Sequence, residues 1–306
     1  MTKQDSGFTL SFLLWHPVVW FLTTTVVAIF FVNAIWKDRL LALLGTEKYL
    51  LTENSLNINQ PPPWLQNPVA QTKSRFLSKP RSLLNTSLVN ETKHFLDAYP
   101  WIRQIDRIQK ESTGMQVNLR YRTPVAFVDA GPANREVLIP VDGDGQVFDS
   151  NLVNRAVLHE MKRDLLRIRM PKISSTGIRV WQNWPDNRIS AAVKLCEFLA
   201  SDTEPMKLLW VISRDNPTEL TGENPQFEIL TLETKIFWGS APGFEQAHEA
   251  SATAKIESLR QLAHSAGKLS ELTEDGDMMI DVSSGSPTLI PAPRYSNLPD
   301  RVSRIR

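Results

Sequence analysis

An uncharged stretch near the N-terminus constrains this chain more than any other feature of its sequence. From Ser6 to Trp36 there is no Asp, Glu, Lys or Arg. A helix from Pro17 to Trp36, at about 1.5 Å per residue, would cross the hydrocarbon core of a bilayer, which is about 30 Å thick. Tryptophans lie near both ends of the stretch, where the membrane interface favours them. We therefore predict a transmembrane helix over residues 17–37, behind a short N-terminal tail of residues 1–16.

A cleaved signal peptide is the alternative interpretation of this stretch. Signal peptides usually carry an apolar region of about 7–15 residues behind a basic segment, with small residues at the cleavage site. Here the apolar run is longer, only Lys3 precedes it, and Ile35-Trp36-Lys37 does not resemble a cleavage site. A retained span is therefore favoured.

The charges that flank the predicted span bear on its orientation. Lys3 precedes the span, whereas Lys37, Arg39 and Lys48 follow it. The positive-inside rule, applied literally, keeps the C-terminal portion in the cytoplasm. The difference in charge is small, so it disfavours a translocated C-terminal domain by a narrow margin.

Composition excludes several functional classes. The 34 basic and 33 acidic residues leave a net charge of +1, which argues against a nucleic-acid binder because such proteins neutralise phosphates with excess basic residues. A hydrophobic fraction of 42% excludes a wholly disordered chain. Cys196 is the only cysteine, so an intramolecular disulfide framework and a cysteine-clustered metal site are also excluded.

The rest of the chain alternates between helical and extended patterns, which indicates a mixed α+β fold. Four apolar residues alternate with four polar ones from Met115 to Arg122, as in a half-buried strand. A last strand is predicted from Met278 to Val282, and the Pro- and Ser-rich residues 284–306 are predicted to be disordered. Apolar residues at helical spacing predict helices over residues 84–99, 187–200 and 247–266.

No residue pattern in the chain is typical of a catalytic or metal site. The five His residues have no metal-ligand spacing, and the sequence lacks a Gly-rich phosphate loop, a G-x-S-x-G elbow and an H-E-x-x-H motif. The Asp- and Gly-rich run at 142–149 lacks ligands that a calcium loop needs and is better explained as a hairpin turn. We therefore predict no catalytic residue, no metal and no cofactor, and a binding or scaffolding role.

A Pro-Trp pair follows a predicted helix, and a later predicted strand ends in Arg-x-Pro-Val-Ala. The residues concerned are Pro100, Trp101, Pro124, Val125 and Ala126. Pro140 to Phe148, the Lys-bearing helix around Lys255, and Met279 to Val282 follow in that order. Together these stretches resemble motifs of the FtsQ/DivIB cell-division proteins. The first two are similar to motifs of the family's POTRA domain, and the last three are similar to segments of its β-rich domain.

The resemblance implies an architecture and a set of partners. It implies a POTRA-like βααββ domain over residues 54–130, a mixed β-rich domain with flanking helices over residues 131–283, and a tail over residues 284–306. In the family, small coiled-coil proteins, FtsB and FtsL, add a strand to the edge of the last strand. The corresponding partner-binding edge here would comprise Ile280, Asp281, Val282, Ser283 and Gly285.

We therefore expect a non-enzymatic, single-span scaffold of the bacterial division machinery. Its N-terminus would lie in the cytoplasm, its C-terminal domain outside the inner membrane at the division site, and its POTRA domain would receive other divisome proteins. Two alternatives stay open. One is a membrane-anchored POTRA protein of envelope assembly or secretion, because one fold serves many functions. The other is an anchored enzyme whose residues converge only in three dimensions.

Overall fold

The computed structural model describes residues 17–44, 49–66, 68–132, 135–171, 173, 177–214, 224–231, 234–266 and 278–292. These residues fall into two compact units. The smaller unit comprises the described residues up to Asn59, with Ala70–Ala98 and Ile105–Asn118. The larger unit comprises Gln60–Val69, Tyr99–Gln104 and the described residues from Leu119 onward.

Helix α1, Pro17–Leu44, contains the predicted span. Its stretch Trp20–Lys37 is long and apolar enough to cross a membrane. Apolar side chains along it are exposed, as Phe30 is at 75%. The hydroxyls of threonines 23–25 donate to carbonyls of the preceding turn at 2.7–3.0 Å, so these polar groups are satisfied without water. The predicted apolar helix is confirmed, and it continues past residue 37 to Leu44.

Three short strands and two helices follow α1 in the order strand, helix, helix, strand, strand. They are β1 (Leu56–Ile58), α2 (Val69–Phe76), α3 (Leu88–Asp97), β2 (Ile102–Lys110) and β3 (Met115–Tyr121). The sheet order is β1-β3-β2, and β1 runs parallel to β3 with Leu56 opposite Met115. Leu88 and Leu96 of α3 and Val117 of β3 are buried. The two leucines lie on one stripe of the helix, and Val117 lies on one face of the sheet.

The remaining elements form an eight-stranded sheet and three helices. The strands are β4 (Pro124–Asp129), β5 (Leu138–Asp142), β6 (Arg167–Arg169), β7 (Leu208–Ser213), β8 (Gln226–Thr231), β9 (Lys235–Ser240), β10 (Met278–Asp281) and β11 (Thr288–Pro291). The helices are α4 (Arg155–Asp164), α5 (Asn187–Leu199) and α6 (Ala252–Ala266). The sheet order is β11-β10-β9-β8-β7-β6-β4-β5. The predicted mixed α+β class is confirmed.

The main core of the larger unit lies between one face of this sheet and helices α5 and α6. Ile168, Val211 and Ile229 of the strands are fully buried in the same apolar cluster as Leu195 of α5 and Leu259 of α6. Burying an apolar side chain of this size contributes about 1.5–3 kcal/mol. The cluster also contains Cys196, which is 1% exposed, so its predicted position in the core is confirmed.

The opposite face of the sheet carries a smaller apolar cluster of Trp210, Ile212 and Leu230. The guanidinium groups of Arg167 and Arg169 lie over the Trp210 ring, 5.3 and 4.8 Å from its centroid. Arginine stems can cover apolar surface while the charged ends stay near water. These two side chains therefore shield the cluster from solvent.

The structure divides the soluble part differently from the prediction. The predicted POTRA-like domain ended at residue 130, but β4 pairs with β5 and β6 in the larger sheet. The boundary between the units falls inside β3, between Asn118 and Leu119, so β4 belongs wholly to the larger unit, whose sheet its hydrogen bonds join. The predicted helix over residues 84–99 begins at Leu88, since Asn85 accepts the N–H of Ser87 in a turn that replaces the first helical residues.

Candidate docking edges

The first predicted motif lies at the start of β2. Trp101 is 3% exposed, and its ring stacks on that of Tyr121 with centroids 5.8 Å apart and 14° between the planes. The Trp101 carbonyl accepts the backbone N–H of Arg122 at 3.1 Å. Pro100 is exposed, and its carbonyl accepts from the Arg122 guanidinium at 3.0 Å. Trp101 therefore anchors the base of the β2–β3 hairpin and offers no free surface to a partner.

Arg122 begins the second motif, Arg122 to Ala126, and its side chain connects this motif to the third, Pro140 to Phe148. Its guanidinium contacts Asp142 at 2.5 Å and Asp144 at 2.8 Å, and the Asp142 side chain is 3% exposed. Burial lowers the pKa of Arg122, but hydrogen bonds and attraction from the two carboxylates raise the pKa more, so the charged form is stabilised. This ion-pair cluster is a structural feature that the motifs did not reveal, because Arg122 and Asp142 are distant in sequence.

The Pro-Val-Ala part of the second motif lies inside the larger sheet. Pro124 is opposite Asp142 of β5, and Ala126 is fully buried opposite Val141. Val125 is half-buried between them. β4 has β5 on one side and β6 on the other, and its pairing with β6 is confined to Phe127 and Val128. They serve packing, and a partner role for them stays a prediction.

The predicted partner-binding strand is not at the edge of the sheet. Ile280 is opposite Ile236 of β9 on one side and Leu289 of β11 on the other. Ile280 and Val282 are buried, at 1% and 0% exposed, and Asp281 is half-buried. The prediction of a free edge at these residues is wrong, because the chain folds back and adds β11 outside β10.

The turn between β10 and β11 explains why the chain folds back. Asp281 accepts the backbone N–H of Ser283 at 2.8 Å, and the N–H of Gly285 donates to the Val282 carbonyl at 2.9 Å. Gly285 has φ +82°, a left-handed conformation that glycine adopts without a steric penalty. Ser283 and Gly285 are thus turn residues. The Ser-Gly-Ser-Pro sequence before Thr288 was the available signal for this turn.

Strand β11 is one of the two edge strands of the larger sheet within the described part of the chain, and β5 is the other. It has four residues, of which Thr288, Leu289 and Pro291 are exposed, Leu289 at 48%. A free edge offers unpaired N–H and C=O groups to an incoming strand. Pro291 has no N–H, so the edge cannot extend a regular hydrogen-bond ladder through that residue. The surface thus fits a short extended segment.

Strand β2 is the corresponding edge of the three-stranded sheet. It has nine residues and lies next to β3 alone among the described strands. Arg103 and Arg107 are exposed on it, and Arg103 lies 3.8 Å from Asp144. Charged side chains on an edge strand discourage unspecific pairing while they leave the backbone accessible. This edge could receive a longer segment than β11.

Metal and nucleophile chemistry have little support in the described residues. In these parts of the chain, no group of three or more His, Cys, Asp or Glu side chains could hold a metal ion. The thiol of Cys196 is buried, and burial raises its pKa, which disfavours the reactive thiolate.

Comparison with known proteins adds no identification, because no protein-family model matches the chain and no curated protein matches it.

Proposed function

We propose that this protein is a single-span membrane scaffold of bacterial cell division, similar to the FtsQ/DivIB proteins. The observation that carries the proposal is the order of parts along the chain. An apolar helix precedes a three-stranded sheet with two helices, and an eight-stranded sheet with a free terminal edge strand follows. The sequence motifs that resemble the family occur in the same order.

The three-stranded sheet, most of which belongs to the smaller unit, supports a POTRA-like assignment for this part of the chain. Its elements follow the βααββ order that the resemblance implies, in a sheet of order β1-β3-β2. Fold alone does not establish function, so the division role depends on the motifs as well. In this proposal other divisome proteins bind the POTRA-like unit, and β2 is the edge available to them.

We place the proposed docking site for coiled-coil partners on β11, and not on β10 as the sequence predicted. A segment of an FtsB- or FtsL-like protein would pair with the backbone of Thr288–Pro291 and so extend the sheet by one strand. Main-chain hydrogen bonds would supply much of the affinity, and the exposed Leu289 side chain would contact the partner beside the strand. Ile280 to Gly285 would then contribute indirectly, because the strand and the turn that they form hold β11 in place.

The proposal includes a location. The protein would lie in the inner membrane with its N-terminus in the cytoplasm and both folded units outside, at the division site. Helix α1 supports a single span by its length and composition. The charges that flank α1 narrowly favour the opposite orientation, so this orientation follows from the family resemblance alone.

In-cell photocrosslinking tests the docking site. A photoreactive residue at Leu289 of the full-length protein should give one dominant adduct with a small coiled-coil division protein. The same residue at Val180, which is 52% exposed and is not part of a strand, is the matched control. Absence of an adduct from Leu289, or the same adduct from Val180, would contradict docking at β11.

A membrane-anchored POTRA protein of envelope assembly or secretion is the second candidate. The observation in its favour is the length of β2, whose nine residues give a longer edge than the four of β11. A fluorescent fusion to the full-length chain distinguishes the two functions. Accumulation at the division site supports the scaffold, whereas a uniform distribution along the envelope with adducts from β2 supports the alternative.

A further inference from the structure

Lys255 is a fully buried cation that plays no part in the docking site described above. It lies on α6, and its ammonium group is 3.6 Å from a carboxylate oxygen of Glu249. The ammonium has no hydrogen-bond partner among the described residues, and the ring of Trp238 lies 5.6 Å from it. Burial lowers the pKa of Lys255, whereas the carboxylates of Glu249 and Glu245 act in the opposite direction.

The surroundings of Lys255 are strongly acidic. The Glu249 side chain is 2% exposed, Glu245 lies on the same loop, and Asp281 of β10 also attracts the ammonium. Glu245 accepts the N–H groups of Gly243 and Ala252 at 2.8 and 3.0 Å, so it is fixed at the start of α6. The buried ammonium of Lys255 is therefore attracted by three carboxylates, two of which lie on the loop between β9 and α6.

Glu249 connects this cation to the backbone of the sheet. Its carboxylate accepts the N–H of Ser240, the last residue of β9, at 3.1 Å, and that of Gln246 at 3.2 Å. The next residue, Ala250, donates its N–H to the Ser283 carbonyl at 2.8 Å. Ser283 lies in the turn that leads from β10 to β11, so a short chain of contacts runs from Lys255 to the edge hairpin.

A buried ion pair of this kind is weak evidence for stability. An apolar pair of similar volume is often as stable, whereas removal of one partner leaves the other charge buried and uncompensated. Loss of the Lys255 charge would drive Glu249 to take up a proton or to move toward water. Either change would disturb the loop at Ala250 and, through it, the turn at Ser283.

We propose that Lys255 and Glu249 are positioning residues for the edge hairpin β10–β11, because they fix the loop from which Ala250 anchors the Ser283 turn. The mechanical part of this inference, that the pair holds the hairpin in place, concerns the folded chain alone. Its consequence, that the pair presents β11 to a partner, depends on the proposed function. The two parts are therefore tested by separate measurements.

Hydrogen exchange of the full-length chain tests the mechanical part. In Lys255→Met, which keeps much of the side-chain volume, protection of the amides that form the hydrogen bonds between β10 and β11 should fall about tenfold more than protection in β7 and β8. Arg260→Met is the matched control, because Arg260 is on the same helix but is 46% exposed and pairs with Asp202. It should leave the hairpin amides unchanged relative to β7 and β8.

Glu249→Gln keeps the test decisive if Lys255→Met fails to fold. The amide oxygen can still accept the Ser240 N–H, but the charge is lost, so the hairpin amides should lose protection severalfold. The double variant Lys255→Met/Glu249→Gln removes both charges of the pair, so it should restore part of the protection that each single variant loses. Unchanged hairpin exchange in Glu249→Gln, or a uniform loss across all strands, would overturn the inference.

Photocrosslinking from Leu289 tests the consequence. If the wild-type chain gives the partner adduct, its yield should fall in Lys255→Met and persist in Arg260→Met. An unchanged yield in Lys255→Met would overturn the presentation role. If the wild-type chain gives no adduct, the proposed function fails, and the exchange experiment alone decides whether the pair positions the hairpin.

Discussion

At the scale of single residues, Arg122 gives the clearest prediction. Its guanidinium contacts the nearly buried Asp142, so Arg122→Met would leave that carboxylate without its counter-charge. Breaking a largely buried pair costs about 3–5 kcal/mol, and partial exposure of Arg122 reduces this to about 2–3 kcal/mol. Denaturant unfolding of the full-length chain in detergent, followed by tryptophan fluorescence, measures the loss.

Arg260→Met is the control for that experiment. Arg260 makes two hydrogen bonds to Asp202; its own side chain is 46% exposed, whereas that of Asp202 is 8% exposed. Because water reaches the arginine side of this pair, its loss should cost about 1 kcal/mol, and the variant should unfold between the denaturant concentrations of the wild type and Arg122→Met. Equal losses in the two variants would show that burial does not make the Arg122 cluster special.

Tyr121 gives a pH-dependent prediction. Burial raises its pKa to about 12, from about 10 in an unfolded chain. Below pH 10 the phenol is neutral in both states and has no effect. Between pH 10 and 12 the unfolded chain ionises first, so stability falls by about 1.4 kcal/mol per pH unit. From pH 9 to 11.5 the wild type should lose about 2 kcal/mol more than Tyr121→Phe.

The unfolding free energies of the two proteins at pH 9 and 11.5 provide the measurement. Tyr121→Phe keeps the ring that stacks on Trp101, so packing stays comparable while the ionisable hydroxyl is removed. An equal fall in both proteins would mean that Tyr121 ionises normally in the folded state.

Residue-scale predictions from sequence succeeded where the local pattern decides the outcome. Cys196 falls on the apolar stripe of its helix, and it is buried. The partners of Arg122 and Lys255 could not be predicted in this way. Arg122 meets Asp142 because β5 pairs with β4 and brings Asp142 opposite Pro124, and the Lys255–Glu249 pair depends on how the loop before α6 packs. Such contacts are set by tertiary structure, which no periodicity in the sequence encodes.

At the scale of elements, alternation was the most reliable signal. The strand predicted from Met115 to Arg122 spans Met115–Tyr121, because its apolar residues all face one buried side and a shift by one residue would expose them. The helix over 247–266 begins later, at Ala252, because the Glu245 carboxylate accepts the Ala252 N–H and fixes the start there.

Strand β11 was missed because its own sequence does not specify it. Thr288, Leu289 and Ile290 lie between Pro287 and Pro291, in a stretch whose composition indicates disorder. The strand exists because β10 supplies backbone partners, with Asp281 opposite Thr288 and Ile280 opposite Leu289. An edge strand of this kind is decided by its neighbour, so the predicted disorder over residues 284–306 is wrong for these residues. Residues 293–306 lie outside the described part of the chain.

At the scale of the whole molecule, the sequence revealed the succession of parts but not their limits. An apolar helix, a small α+β unit and a larger sheet were all expected, and the structure has each of them. The limits depend on pairing between strands, as β4 shows by joining the larger sheet. The prediction with the widest consequence concerns the proposed topology, in which both units lie outside the inner membrane.

Cysteine labelling decides that topology. Cys196 is buried, so the wild-type chain should not react with a membrane-impermeant maleimide and provides a clean background. Val180→Cys places a thiol at a position that is 52% exposed. In intact cells whose outer barriers have been removed, this variant should be labelled before the inner membrane is opened. Labelling only after the membrane is opened would mean that the flanking charges set the orientation. The division-scaffold proposal would then fail even though the fold is unchanged.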